Sequence, residues 1–232
     1  MNLENFSSAT TVSNTGVAQL VKNVYMWMTL ALGVTGVVAL AVAGSEQLML
    51  SLFSNSAIFW VLLIAEIGLV FYISARIMKI SFATATTLFM LYSVINGLVL
   101  SALFALYTKA SVASAFFVTA GTFGAMSLYG YFTKRDLSSI GNILFMALIG
   151  LIIATVVNIF FASDTLYWVI TYAGVLIFVG LTIYDTQKIK RMLYGMEINE
   201  TSQKLALLGA LTLYLDFINL FLYLLRILGD RR

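Results

Sequence analysis

The sequence predicts an all-α membrane protein with seven transmembrane helices. Three observations carry this. Of the 232 residues, 61% are hydrophobic and 10% charged, against about 45–50% and about 25% in a soluble domain. Apolar runs near the 20 or so residues that a bilayer-spanning helix needs recur along the chain. Proline is absent, so no helix in those runs is broken by a missing backbone donor.

Cysteine and histidine are also absent. There is therefore no disulfide and no His/Cys metal set, and a pH response near neutrality must come from carboxylates in unusual surroundings. The net charge is +3, and the basic residues stand at helix ends as topology signals rather than in a patch suited to nucleic acid.

Residues 1–19, "MNLENFSSATTVSNTGVAQ", are polar, rich in Ser and Thr and free of Lys and Arg. They lack the basic start and apolar centre of a signal peptide and are expected to form a disordered tail, leaving 20–232 as a single seven-helix domain. Runs between charges place the spans near 22–43, 57–78, 82–108, 112–132, 139–162, 166–187 and 204–227. Glu66 falls inside the second, Asp185 late in the sixth and Asp216 mid-way through the seventh. The connections are short except "GSEQLMLSLFSNS" and "RMLYGMEINETSQK". With no room for an extramembrane module, the protein must work within the helices or at their rims.

Orientation follows from the basic residues. With the amino terminus inside, Lys22, Arg76, Lys79, Lys134, Arg135, Lys188, Lys190, Arg191 and Lys204 lie on the inner side, and Lys109, Arg226, Arg231 and Arg232 on the outer. That excess favours a cytoplasmic amino terminus. The tail "LRILGDRR" argues the other way, since basic residues beside a last span normally stay inside, as a re-entrant seventh helix would allow.

In the seventh run, Gly209, Thr212, Asp216, Asn219 and Tyr223 recur at spacings of three and four, which aligns them on one helix face. Such a stripe should face other helices or a water-filled cavity, so this helix is expected near the bundle centre. A central aspartate costs about 2.5–3.5 kcal/mol to insert, more than the roughly 0.6 kcal/mol of an average interhelical hydrogen bond, which makes Asp216 a functional candidate. Asn219 is the weaker candidate, for the cation pathway.

In "VLIFVGLTIYDTQKIKR", Asp185 is placed at the inner end of the sixth helix, where the helix dipole disfavours an acid. It either pairs with Lys188 as an interfacial acid or faces inward toward Asp216. Asp216 lies about 18 Å along a helix that starts at Lys204, deeper than Asp185, so the sequence leaves their contact open. Asn96 and Asn158 read as interhelical hydrogen-bonding residues.

"IYDTQKI" and "LYLDFINLFLYLLRILG" together resemble the two signature segments of the Bax inhibitor family, over a stretch from Val21 to Gly229. The resemblance implies six helices around a central seventh, with two facing aspartates, matched here by Asp185 and Asp216. It implies a pH-sensitive calcium leak, with some members modulating cell death or membrane proteolysis. Arg76, in "VFYISARIMKI", resembles the arginine that pairs with the aspartates in the closed form; the alternative is an interfacial arginine reaching toward water. Glu66, about 15 Å deeper and about 80° round the helix, resembles by position a carboxylate lining the family's cavity. "RMLYGMEINETSQK" looks longer than usual for the family.

Two classes of function follow. One is a cation leak or transport pathway with calcium preferred, since carboxylate oxygens suit a hard cation. There Asp185 and Asp216 are a tentative calcium site and, with Arg76, a gate in which two acids sharing a dry site titrate together. The other is a regulator that binds other membrane proteins, such as a protease or cell-death factor, without transport. An enzyme is not expected, because no nucleophile elbow, phosphate loop or metal set is present. No tightly bound cofactor is expected; the partners are calcium, protons and the lipid bilayer, and the location a bacterial inner membrane.

Overall fold

The computed structural model describes residues 16–231 of the chain, so the tail expected over 1–19 falls, for residues 1–15, outside the described range. Helices account for nearly all of it: α1, described over Gly16–Ala43, then α2 (Glu46–Phe53), α3 (Ser56–Arg76), α4 (Phe82–Leu100), α5 (Leu103–Leu106), α6 (Lys109–Phe132), α7 (Ser138–Phe161), α8 (Asp164–Leu193) and α9 (Glu200–Leu228). Seven spans among the described residues are long and apolar enough to cross a membrane, with α4 and α5 forming one of them over Phe82–Leu106. The protein is a multi-pass membrane protein.

Local chemistry sets the helix ends. Ser81 and Thr108 cap α4 and α6, accepting the Thr84 and Ser111 amides at 3.1 and 3.2 Å, because the first amides of a helix have no partner within it. Asn199 and Ser202 cap α9 reciprocally, each side chain taking the other's amide at 3.0 Å. Gly195, just past α8, has φ +73°, a left-handed turn that glycine adopts without side-chain strain. Asn158, read from sequence as an interhelical link, instead accepts the Ser163 amide at 3.0 Å and closes the end of its own helix.

Two boundaries differ from expectation. The connection "GSEQLMLSLFSNS" contains α2, whose start is capped by Ser45. The sixth span does not stop near residue 187, because α8 runs on to Leu193. Asp185 is therefore eight residues, about 12 Å, from the helix end, too far inside for the terminal dipole to oppose its charge.

The chain divides into two compact units, each described by itself: one holds the chain to Leu106 with Ile189–Tyr214, the other Tyr107–Lys188 with the chain from Leu215 onward. In the first, α1 and α4 touch backbone to side chain: a Cβ added at Gly97 would lie 2.7 Å from the Thr35 carbonyl oxygen and from Val38 Cβ. The start of α9 is tied to the α3–α4 turn, where Glu200 Oε1 accepts the Phe82 amide at 3.1 Å and Lys204 Nζ donates to the Ile80 carbonyl at 3.1 Å. Tyr214 is held edge-on by Phe89 and Tyr92, with ring centres at 5.7 and 5.6 Å.

In the second unit, α6 and α7 close on α8 through glycine: Gly130 lies against the Ile183 carbonyl and Gly141 against the Tyr184 ring. Small residues let membrane helices approach this closely. Phe116 and Phe123 pack on Phe217, each at 5.5 Å. Large apolar side chains such as Phe160, Phe161 and Leu176 point outward, 81%, 76% and 72% exposed; hydrocarbon rather than water is the solvent for such a surface. α9 is the exception, with 67% of its apolar window buried, against 6% for α7.

Candidate functional site

In the second unit, the side chains of Asp185 of α8 and Asp216 of α9 come close enough to interact directly. Both are buried, with 8% and 5% exposure. Two carboxylates only accept and repel each other when both are ionised, so a dry site shared by two acids favours a proton on one of them. Oδ2 of Asp216 is buried and has no hydrogen-bond partner. Lys188, exposed and one turn on from Asp185, exerts an opposite-charge influence on it and lies over the Tyr184 ring at 5.7 Å.

The motif around Asp185 is fixed by its neighbours. Gln187 donates Nε2 to the Arg135 and Thr133 carbonyls at 2.8 and 3.4 Å and accepts the Leu137 amide through Oε1 at 3.1 Å. One side chain thus supplies the polar groups that the α6–α7 connection lacks and sets the register of α8 beside the acid pair. The sequence reading missed this role, since a glutamine among lysines at a helix end looks like any solvated residue.

The first unit holds a buried acid of its own. Glu66 of α3, 9% exposed, accepts from Asn96 Nδ2 of α4 at 2.8 Å. Asn96 Oδ1 accepts the Tyr214 hydroxyl at 3.0 Å, that hydroxyl lies 2.6 Å from Thr35 Oγ1, and Thr35 Oγ1 donates to the Ser93 carbonyl at 2.9 Å. Two hydroxyl protons serve three contacts, so one contact is always left without a proton and the chain of bonds has three arrangements. Asn96 makes the interhelical bond expected of it. Tyr214 and Thr35 were not legible as polar partners, because each stands alone among apolar neighbours.

Asp185, Asp216 and Asn219 thus belong to one unit and Glu66 and Arg76 to the other. The structure brings Asp185 and Asp216 together. Asn219 donates Nδ2 to the Leu215 carbonyl of its own helix at 2.8 Å. Arg76 is exposed in the last turn of α3, and its side chain makes no hydrogen bond or ion pair among the described residues. No group of three or more acids or other metal-ligating side chains is found among the described residues.

Residues 17–232 match the family described as "Inhibitor of apoptosis-promoting Bax1". The chain is similar to inner membrane protein YbhL of Escherichia coli K12, 55% identical over 94% of each chain. It is also similar to an uncharacterized protein of Borreliella burgdorferi, 45% identical over 92% of this chain and 94% of that one. A third relative is uncharacterized protein RP147 of Rickettsia prowazekii, 43% identical over 94% and 92%. On the match across all the described spans, and on the two aspartate-bearing segments that drew the resemblance, the chain belongs to the Bax inhibitor family.

Proposed function

We propose that the protein is a cation leak pathway with calcium as its preferred cargo, gated by the protonation of the Asp185–Asp216 pair. The observation that carries this reading is the juxtaposition of two buried acids, Asp185 and Asp216, of which Asp216 leaves its Oδ2 without a hydrogen-bond partner among the described residues. A link between helices needs no ionisable group, and an unmet buried carboxyl oxygen costs about 1–3 kcal/mol or more. A cation entering the site, or a second proton, satisfies that oxygen.

Two carboxyl groups offer four oxygens, fewer than the six to eight that a resident calcium takes. Such a site favours passage over storage. The shared proton supplies the gate: with it the pair carries one negative charge at most, and without it two, which favours a cation or pushes the helices apart. Arg76 is proposed as the counter-charge to the ionised pair, Glu66 and Asn219 as further polar groups along the pathway, and no catalytic step is invoked.

The protein is placed in a bacterial inner membrane with its amino terminus in the cytoplasm. The name of its Escherichia coli relative and the basic asymmetry of the chain support this. A reporter after Arg232 should read as external and one near Gly195 as cytoplasmic; two cytoplasmic readings would contradict the orientation. Calcium flux in liposomes containing this protein alone tests the activity: leak above that of empty liposomes is expected. Its absence from correctly folded protein would return the chain to the reading as a regulator of other membrane proteins.

A further inference from the structure

The carboxyl-terminal end of the second unit holds a cluster unrelated to the acid pair. The guanidinium carbon of Arg226, near the end of α9, lies 5.1 Å from the centre of the Tyr223 ring and 5.6 Å from that of Tyr167. Arg231 lies 5.6 Å from the same Tyr167 ring and donates Nη2 to the Tyr167 hydroxyl at 2.7 Å. The segment carrying Arg231 is itself fastened. Thr108 donates its amide to the Asp230 carbonyl at 3.4 Å, the Asp230 amide donates to Ser111 Oγ at 3.0 Å, and Tyr107 and Arg231 form an antiparallel bridge.

We propose that Arg226 and Arg231 form a binding site for the phosphate of an anionic lipid headgroup. A guanidinium carries five donors in its plane, and stacking on an aromatic face uses none of them. The Arg226 side chain makes no hydrogen bond among the described residues, and neither arginine forms an ion pair among them. The Arg226 donors, and those of Arg231 other than the one given to Tyr167, are left for a ligand that accepts in a forked geometry, which phosphate does. The shared Tyr167 ring holds both side chains in advance, which lowers the ordering cost of binding.

The position of the cluster selects a lipid over a dissolved phosphate. α6 begins at Lys109, α8 begins at Asp164 and α9 ends at Leu228, so the arginines stand where spans meet the headgroup layer. Beside them on α8, Trp168 and Tyr172 stack at 5.8 Å and are 42% and 55% exposed, the amphipathic rings typical of that layer. Among the described residues, the other charged groups at this end are Lys109, which adds to the positive field, and Asp164 and Asp230, exposed acids that pair with neither arginine. The site also gives the basic residues that follow the last span a role other than setting topology.

The test uses the full chain purified in detergent and titrated with phosphatidylglycerol or phosphatidylcholine, bound lipid being read by native mass spectrometry and stability by thermal unfolding. Wild type should retain phosphatidylglycerol in preference to phosphatidylcholine. Arg226→Gln should weaken that preference about fivefold and Arg226→Gln with Arg231→Gln about thirtyfold. Arg226→Lys keeps the charge but not the fork and should fall between wild type and Arg226→Gln while unfolding at the wild-type temperature. It serves as the readout if the double variant does not fold. Equal retention of the two lipids by wild type, or an unchanged preference in the Arg226 variants, overturns the site. Stabilisation by inorganic phosphate equal to that by phosphatidylglycerol overturns the assignment to lipid.

Discussion

Asn96 donates a hydrogen bond to Glu66 at 2.8 Å while accepting one from Tyr214 at 3.0 Å. The Glu66 carboxyl is thus held by an amide rather than by a counter-charge, which leaves its own charge free to act on a passing cation. Glu66→Gln keeps an oxygen that accepts from Asn96 and removes that charge. The variant should unfold within a few degrees of wild type, and should shift the cation concentration at half-maximal flux severalfold with its pH profile retained. Flux measured against calcium concentration at two pH values checks this; a moved pH profile with unchanged cation dependence would put Glu66 in the gate instead.

Gly130 tests the close approach of α6 to α8. A Cβ there would meet the Ile183 carbonyl, a backbone group that cannot rotate away. Gly130→Ala should therefore cost about 1–3 kcal/mol, the usual range for forced overpacking. Thermal unfolding in detergent reads this as a lower melting temperature. Gly150, with nothing within 4 Å of a Cβ, is the control, and Gly150→Ala should leave the melting temperature unchanged or slightly raised.

Arg76 separates charge from packing. It is exposed and its side chain makes no hydrogen bond or ion pair among the described residues, so Arg76→Ala should change stability by no more than about 0.5 kcal/mol. If it supplies the counter-charge of the ionised pair, its removal should raise the basal calcium leak in protein-only liposomes. A leak equal to wild type from stable protein would leave Arg76 as an interfacial residue reaching toward water.

The seven spans were legible because apolar length and charge spacing depend on sequence alone. The meeting of Asp185 with Asp216 was not. It depended on where α8 ends, and "KIKRML" reads as an interface when counted by charge. The six residues from Lys188 to Leu193 are in fact helical, which leaves Asp185 about two turns inside α8 rather than at its end. Gln187 and Tyr214 escaped for a different reason: a single polar group has meaning only once its acceptor, distant in sequence, is placed beside it. Arg226 and Arg231 looked like an anomaly of topology until their rings were located.

The central claim is that Asp185 and Asp216 act as one proton-responsive unit. Calcium flux through liposomes containing wild type, Asp185→Asn, Asp216→Asn or both should be measured across pH 5 to 8, about the range that buried, coupled carboxyls reach and isolated ones do not. Wild-type flux should vary across that range. Each asparagine keeps the shape of the site and removes one titrating group, so either single variant should flatten the profile. The double variant should add little, since members of one unit are not additive. A pH profile left intact in both single variants, or effects that simply add in the double, would contradict the paired-acid gate.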